Sequence, residues 1–243
     1  WLAQGSFVEP DGDRPFRGIA EAIAALFGEL ERESEARRQE WREHLRERLG
    51  ARLELFAELV PSLDAQLGPR LAPSLLGAGS SEAESRLQVA LARLLSSLAE
   101  RGPIVLVLDD IDRADPSSLA LVRMLIGGVA GPVMLVLSAT RGQPLSPGFA
   151  ALERELVERG HGQILELEPL HVADVEALLA DMLGRASGDL HGLAEHVHAR
   201  SGGNPLELRG LIEQLGERGI LSVTPAGWRW DQDALEHVGP ATA

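Results

Sequence analysis

The sequence contains no cysteine, no lysine and no tyrosine. Without cysteine, disulfide bonds and thiolate chemistry are excluded, and cysteine usage gives no indication of the redox compartment. Without lysine, all 23 basic side chains are arginines, so a mechanism that depends on a lysine ammonium cannot run on this chain alone. No apolar run approaches the roughly 20 residues that a membrane-spanning helix requires, so we expect a cytoplasmic protein with no membrane partner.

The charge balance is acidic, with 37 acidic and 23 basic residues and a net charge of −14. A general nucleic-acid surface needs excess positive charge to neutralise phosphates, so this balance argues against nucleic-acid partners. With 243 residues, 44% of them of hydrophobic types, the chain is long enough for one large domain or two small ones.

Strands alternate with helices in the hydrophobic pattern up to about residue 170, which predicts a parallel α/β sheet. The strands Ile104–Leu108 and Pro132–Thr140 are continuous apolar runs, typical of strands that are covered on both faces. Helical periodicity is found over Phe16–Leu30, in the charged segment Glu31–Arg52 and again around Leu87–Leu98. The further strands expected in this half are Trp1–Val8 and the alternating segment Gln163–Leu170.

After residue 170 the pattern changes to helices over Val172–Leu183, Leu190–Arg200 and Pro205–Glu217, followed by a hairpin around Pro225–Gly227. We therefore predict two domains, an α/β core over residues 1–168 and a smaller module over 169–243. His196 and His198 lie two residues apart and do not share a helix face, so we predict no metal site there.

The stretch "PIVLVLDDIDRAD" ends a buried strand in two adjacent aspartates, Asp109 and Asp110. Ligands of open parallel sheets bind outside the carboxyl ends of the strands. One carboxylate there can face a magnesium ion through water, and the other can orient a water for attack on a phosphate. The alternative is structural, because aspartate favours the turns at which strands end. "DPSSL" decides nothing, since Asp115 and Pro116 also make a good helix start.

Two further stretches bear on function. The second buried strand ends in "SATRG", where a polar residue or an arginine can sense a terminal phosphate. "SGGNPLELRGLIEQL" is explained by capping alone, with Asn204 as the N-cap, Pro205 at the first helical position and Glu207 in a pattern similar to a capping box.

Taken together, "PIVLVLDDIDRADPSSLALVRML", "VMLVLSATRG" and "SGGNPLELRGLIEQLGERGIL" resemble the bacterial AAA-type regulatory ATPases of the STAND class. The resemblance is closest to modules found beside serine/threonine kinase or histidine kinase domains in large signalling proteins. "WLAQGSFVEPDGDRPFRGIAEAI" is similar to the segment that follows their phosphate-binding loop, and "WREHLRERLGARLELFAELVPSLDAQLG" to their helical insertion. The implied fold is a P-loop NTPase-like (ASCE/AAA-type) parallel sheet with helices, followed by a helical lid and a winged-helix-like end.

The resemblance implies ATP and Mg²⁺ as cofactors. Its partners would be ATP or ADP and other domains or proteins of a signal-transduction system, and a nucleotide-dependent oligomer is left open. By position, Asp109 would be associated with the metal, Asp110 would be the catalytic carboxylate and Arg141 would sense the nucleotide. Gly203, Asn204 and Pro205 would form the lid motif, with the proline near the adenine. The chain departs from the family at Asp112-Arg113, where His-Trp is frequent.

The phosphate-binding loop G-x-x-x-x-G-K-[ST] is absent from the sequence. Its glycines let backbone N–H groups hold phosphate and its lysine reaches the β and γ phosphates; the pairs Gly127-Gly128 and Gly202-Gly203 do not fit this pattern. In the family this loop precedes the segment that begins here. We therefore expect an ATP-binding regulatory module with nucleotide between core and lid, an ATPase only if an upstream loop completes the site. The alternative is a nucleotide-independent scaffold or protein-interaction module.

Overall fold

The computed structural model describes residues 1–7, 15–63, 81–140, 146–160, 162–184, 190–225 and 227–236. The chain divides into two compact units, Trp1–Ile164 and Leu165–Ala243, and each has its own hydrophobic cluster. The domain boundary expected after residue 168 stays a prediction.

The first unit contains a parallel sheet of three strands, β1 (Leu2–Ser6), β2 (Ile104–Asp109) and β3 (Val133–Leu137), in the order β1-β2-β3. In the register, Gly5 lies beside Leu108, and Leu108 lies beside Leu137. The α/β class with a parallel sheet is therefore confirmed, and the two apolar runs form β2 and β3.

Six α-helices of the first unit are described: α1 (Arg17–Glu31), α2 (Glu35–Leu49), α3 (Leu53–Leu59), α4 (Ser81–Ala99), α5 (Pro116–Gly128) and α6 (Pro147–Glu158). Short 3₁₀ turns occur at Gly50–Arg52, Pro61–Leu63 and Ile111–Arg113. Both α1 and α4 contact β2. Right-handed connections that advance in one direction across a sheet place their helices on one face.

The two faces of the sheet differ in burial. On one face Ile104, Leu106 and Leu108 are 0%, 3% and 0% exposed. On the other face Leu2 and Met134 are 63% and 60% exposed. The expectation that the apolar strands are covered on both faces is therefore wrong for β3 in the described part of the chain, where Met134 and Val136 are exposed. In β2, Val105 and Val107 on the same face are partly buried.

Strand β1 and helix α1 pack backbone against backbone. A Cβ on Gly5 would lie 1.8 Å from the carbonyl oxygen of Gly18, so only glycine fits at this strand position. The Phe7 ring then covers Gly18, whose missing side chain leaves the space. This contact fixes the start of α1 beside the carboxyl end of β1.

Helix α2 is the predicted charged helix with one apolar stripe. Ser34 caps it by accepting a hydrogen bond from the Arg37 N–H at 3.4 Å. Its buried residues are Trp41, Leu45 and Leu49, each four residues from the next. The remaining surface of the helix is polar, as expected for a helix that packs on one side only.

Residues Gln163–Leu170 do not form the predicted third strand. No described strand pairs with them, and Leu165 and Leu167 are 76% and 87% exposed. Alternating side chains favour an extended backbone, but a strand also needs a neighbouring backbone for its hydrogen bonds. Within the described residues that neighbour is missing.

The second unit contains α7 (Val172–Leu183), α8 (His191–Ser201), α9 (Pro205–Glu217), β4 (Leu221–Thr224), β5 (Gly227–Trp230) and α10 (Gln232–Glu236). The strands β4 and β5 are antiparallel, with Leu221 opposite Trp230, so the predicted hairpin is confirmed. The hydrophobic core of the second unit includes Leu179, Val197 and Leu211. A lid role and a winged-helix-like end stay predictions. None of the helices that the structure describes is long and apolar enough to cross a membrane.

Candidate functional site

Polar side chains converge at the carboxyl end of the three-stranded sheet. In the register, Ser6 at the end of β1 lies beside Asp109 at the end of β2. Ser138 follows directly after β3, and its N–H donates to the Leu108 carbonyl at 3.1 Å. The parallel arrangement therefore brings the predicted aspartates next to residues from both neighbouring strands, where ligands of such sheets bind.

The Ser138 hydroxyl links the two aspartates. It donates a hydrogen bond to Oδ1 of Asp109, and it accepts one from the backbone N–H of Asp110 at 3.2 Å. The Ser138 carbonyl also accepts a hydrogen bond from the Ile111 N–H at 2.9 Å. These three bonds fix the turn after β2 against the end of β3.

Asp110 has a left-handed backbone, with φ 53° and ψ 42°. Aspartate is one of the few residues with a side chain that visits this region, at a cost of about 1 kcal/mol. The conformation ends the strand and begins the 3₁₀ turn Ile111–Arg113. Among the described residues, no hydrogen bond or ion pair occupies the Asp110 carboxylate. Such a group keeps its full capacity to accept hydrogen bonds from a ligand or a water.

A third carboxylate at this edge, Glu21 of α1, is already engaged. Its Oε2 accepts hydrogen bonds from the Ser6 N–H at 3.0 Å and the Ser6 hydroxyl at 3.3 Å. Its Oε1 lies 3.2 Å from Nε of Arg17. Both carboxylate oxygens of Glu21 are therefore occupied, and the side chain links the end of β1 to α1.

Asp115 is structural. Its Oδ1 accepts from the Ser118 N–H at 2.9 Å, which confirms it as the N-cap of α5. Its Oδ2 accepts from the Ser118 hydroxyl at 2.5 Å and from the Phe16 N–H at 3.1 Å. The same side chain therefore joins the start of α5 to the start of α1, 99 residues earlier.

The donor set suits a hard cation. Magnesium takes oxygen ligands, keeps several waters and is usually held by one or two carboxylates together with substrate phosphates. Asp109 uses Oδ1 for Ser138, and no hydrogen bond to its other oxygen is found in the described part of the chain. In the same part, no group of three or more histidine, aspartate or glutamate side chains is arranged to hold a metal by itself. A magnesium ion here would depend on phosphate oxygens and water for the rest of its shell.

The predicted sensor residue Arg141 lies outside the described residues. The chain is described as far as Thr140, whose N–H donates to Oδ1 of Asp112 at 3.3 Å. Asp112, one of the two positions at which the sequence departs from the family pattern, therefore ties the segment after β3 to the turn after β2.

Gly203, Asn204 and Pro205 belong to the second unit and start α9. Gly203 has φ 76°, and a Cβ there would lie 2.3 Å from the Leu170 carbonyl oxygen. Its own carbonyl accepts from the Leu170 N–H at 2.9 Å. Oδ1 of Asn204 accepts from Leu206 and Glu207 N–H groups at 2.9 and 3.4 Å. Asn204 is therefore confirmed as a cap, and Pro205 is exposed at the first helical position.

The structure thus joins Asp109 and Asp110 to one residue that was not named individually from the sequence, Ser138. The sequence signal was the polar ending "SATRG" after the second apolar strand. It did not single out Ser138, because the Ser138–Asp109 bond spans 29 residues and depends on the pairing of β2 with β3.

Comparison with known proteins identifies the family. A family model described as "AAA ATPase domain" matches residues 1–137, more than half of the chain. The matched region contains all three strands of the parallel sheet and both aspartates. No curated protein matches the chain.

Proposed function

We propose, from the premise that this chain belongs to the AAA ATPase domain family, that it is a regulatory module of the STAND class within a larger bacterial signalling protein. Its nucleotide state would set the activity of neighbouring domains, such as a protein kinase domain. The ligand would be ATP with Mg²⁺, and the location the cytoplasm.

One observation carries the proposal, the Asp109–Ser138–Asp110 arrangement at the carboxyl end of the parallel sheet. Ser138 occupies one oxygen of Asp109 and the backbone of Asp110, and among the described residues the Asp110 carboxylate is left without a partner. A turn that only ended the strand would not require two adjacent carboxylates with unused acceptor capacity. A site for a hydrated cation and a reacting water does require them.

The proposed roles come from the family resemblance, and the geometry is compatible with them. When bound, the magnesium nucleotide supplies the scissile phosphate and neutralises its charge. Asp109, held by Ser138, would accept hydrogen bonds from metal-bound water. Asp110 would hold and polarise the attacking water. Its left-handed backbone ends the strand, so its carboxylate does not continue the alternation of side chains along β2.

The phosphate-binding lysine must come from elsewhere, because this chain has none. We propose that it lies on a loop upstream in the same polypeptide. The open face of the sheet supports this proposal: Met134 and Val136 are 60% and 36% exposed, and parallel sheets are almost always covered on both faces. A strand and helix that carried the loop would cover that surface.

The second unit is proposed to contribute the lid. Gly203, Asn204 and Pro205 would present the exposed proline ring to the base, and Arg141 would respond to the terminal phosphate. The capping bonds of Asn204 explain the same residues without a ligand, so an experiment on Pro205 has to separate the two roles.

A scaffold without nucleotide is the second candidate, and the complete absence of lysine favours it. In that case the aspartate site would be a remnant, and the module would act through its surfaces. The two candidates differ in whether an intact phosphate-binding loop is present.

Calorimetric titration with Mg-ATP tests the proposal. This chain by itself should bind weakly or not at all, because the loop and its lysine are missing. The longer polypeptide with an intact loop should bind ATP in a magnesium-dependent way. Low-micromolar ATP binding to this chain alone would show that the loop is not needed. If the longer polypeptide does not bind ATP, the scaffold function is the remaining candidate.

A further inference from the structure

A cleft lies among α1, α2 and α3, and none of the residues of the aspartate site lines it. It is an open cleft, and the roughly 420 Å³ of empty space in it includes solvent at its mouth. We call it the arginine cleft, after Arg38, Arg42 and Arg46, which line it together with apolar side chains.

The floor of the arginine cleft is apolar and fixed. Trp41, Leu45 and Leu53 line it and are 4%, 2% and 7% exposed. The Trp41 ring packs edge-on against Trp1, with ring centroids 5.4 Å apart, and Arg101 lies 4.9 Å from its centroid. A floor held in this way is preformed, so an apolar ligand would not have to order it.

The rim of the cleft is a row of like charges. Arg38, Arg42 and Arg46 are spaced four residues apart on α2 and therefore lie on the same side of the helix. Positive charges at this spacing destabilise a helix unless carboxylates or a ligand compensate them.

The compensation within the described residues is incomplete. Glu31 lies 3.4 Å from Arg38 and 3.7 Å from Arg42, and Glu35 also pairs with both. For Arg46 no ion pair is found in the described part of the chain. The Nε atom of Arg38 is buried and has no hydrogen-bond partner among the described residues. Two carboxylates thus serve two of the three guanidinium groups, and guanidinium donors remain available.

We propose that the arginine cleft binds a small apolar carboxylic acid, with the hydrocarbon body on the floor and the carboxylate on the arginine row. An apolar floor favours a hydrocarbon part, and the unmatched guanidinium favours an anion. Inorganic phosphate would leave the floor unused. A multiply acidic peptide would be repelled by the chain's net charge of −14, so a single carboxylate is the better match.

Octanoate is the probe, measured by calorimetric titration of the chain. We expect saturable binding at one site with a Kd on the order of 0.1 to 1 mM, typical for an anion with about ten heavy atoms. Octanol, which has the same chain length without the charge, should bind at least about tenfold more weakly. Equal binding of octanol, or no saturable binding of octanoate, would overturn the proposal.

Three variants locate the site. Arg46→Gln should weaken octanoate binding about fivefold to tenfold, since an exposed arginine contributes a partly screened charge. Arg37→Gln removes the same charge from an exposed position of α2 outside the cleft, and binding should be unchanged. Glu31→Gln removes the competing carboxylate and should tighten binding about threefold.

The melting temperature of each variant confirms that it is folded, and Arg46 and Arg37 are both exposed, so neither change should unfold the chain. Equal affinity of Arg46→Gln and Arg37→Gln would place octanoate elsewhere and contradict the assignment. Tighter binding of inorganic phosphate, or of an acidic peptide, than of octanoate would also overturn it.

Discussion

The carboxyl end of β2 and the start of α9 both carry short polar motifs, but their hydrogen bonds are arranged differently. At α9, Asn204 directs its carbonyl oxygen to two helix N–H groups, and Gly203 closes a backbone bond with Leu170. At β2, Ser138 occupies one oxygen of Asp109, and the Asp110 carboxylate has no partner among the described residues. A motif whose hydrogen bonds are all internal is accounted for by its structural role. A motif with unused acceptors has capacity for a ligand, as we propose for the aspartate site.

This difference predicts opposite responses to substitution. Changes to Gly203 or to the Asn204 cap at the start of α9 should lower stability, whereas changes at the end of β2 should lower ligand binding or turnover and leave stability nearly unchanged. The following measurements test the difference in order of expected effect.

Asp110→Asn should have the largest effect, measured as ATP hydrolysis by the longer polypeptide with an intact phosphate-binding loop. Asparagine tolerates the left-handed backbone, so the fold should persist while hydrolysis falls about 100-fold or more through loss of the water-orienting carboxylate. Nucleotide affinity should change by less than about threefold. Asp109→Asn should instead raise the magnesium concentration needed for activity.

The matched control is Asp112→Asn, because the new side chain still offers an oxygen to the Thr140 N–H. Its hydrolysis should stay close to that of the wild type. If Asp110→Asn hydrolyses ATP as fast as this control, the catalytic assignment is wrong.

Gly203→Ala should give the largest loss of stability. The added Cβ would meet the Leu170 carbonyl oxygen at 2.3 Å in a backbone conformation with φ 76°, and we expect a loss of at least about 2 kcal/mol in the free energy of unfolding. Gly202→Ala is the control, since its φ is 57° but nothing lies near its Cβ, and it should cost about 1 kcal/mol. Equal losses in urea unfolding would show that the contact with Leu170 is unimportant.

The variant Pro205→Ala distinguishes a nucleotide-contacting role of the motif from a helix-capping role. The Asn204 cap remains in this variant and only the exposed ring is lost, so the melting temperature should barely change. If the proline contacts the base, nucleotide affinity of the longer polypeptide should fall roughly threefold to tenfold, as loss of an apolar contact of one to two methylenes would give. Pro147→Ala changes an equivalent proline at the first position of α6, next to the Ser146 cap, and should leave affinity unchanged. Unchanged affinity of Pro205→Ala would reduce the motif to a cap.

His191→Gln should have the smallest effect. The hydrogen bond with Glu176 at 2.9 Å, followed by the charge of Glu195, raises the pKa of His191 above 6.5. A histidine with a raised folded-state pKa stabilises the fold below its unfolded pKa, and this contribution is lost as pH rises through the folded-state value. Wild type and variant should therefore differ in urea unfolding at about pH 5.5 and converge at about pH 8.5. A difference that grows with pH would contradict this sign.

The local features of the chain could be predicted because each depends on residues close in sequence. The N-caps Asp115 and Asn204 act on N–H groups within three residues, and the Trp41, Leu45 and Leu49 stripe depends only on helical periodicity. The failure at Gln163–Leu170 has the opposite origin. Its alternation predicts a strand, but strand pairing depends on another segment.

The sequence by itself determined the two apolar strands, several of the helices, the caps Asp115 and Asn204, and the adjacent aspartates, because propensity, periodicity and capping act within a few residues. Only the tertiary structure decided that Ser138 joins Asp109 to Asp110 and that, among the described residues, Leu2 and Met134 on one face of the sheet are exposed. Both depend on the register and connections of β1, β2 and β3, whose residues lie from about 30 to about 100 positions apart. No local pattern specifies such contacts, since backbone pairing across a sheet is set by which strands pack together.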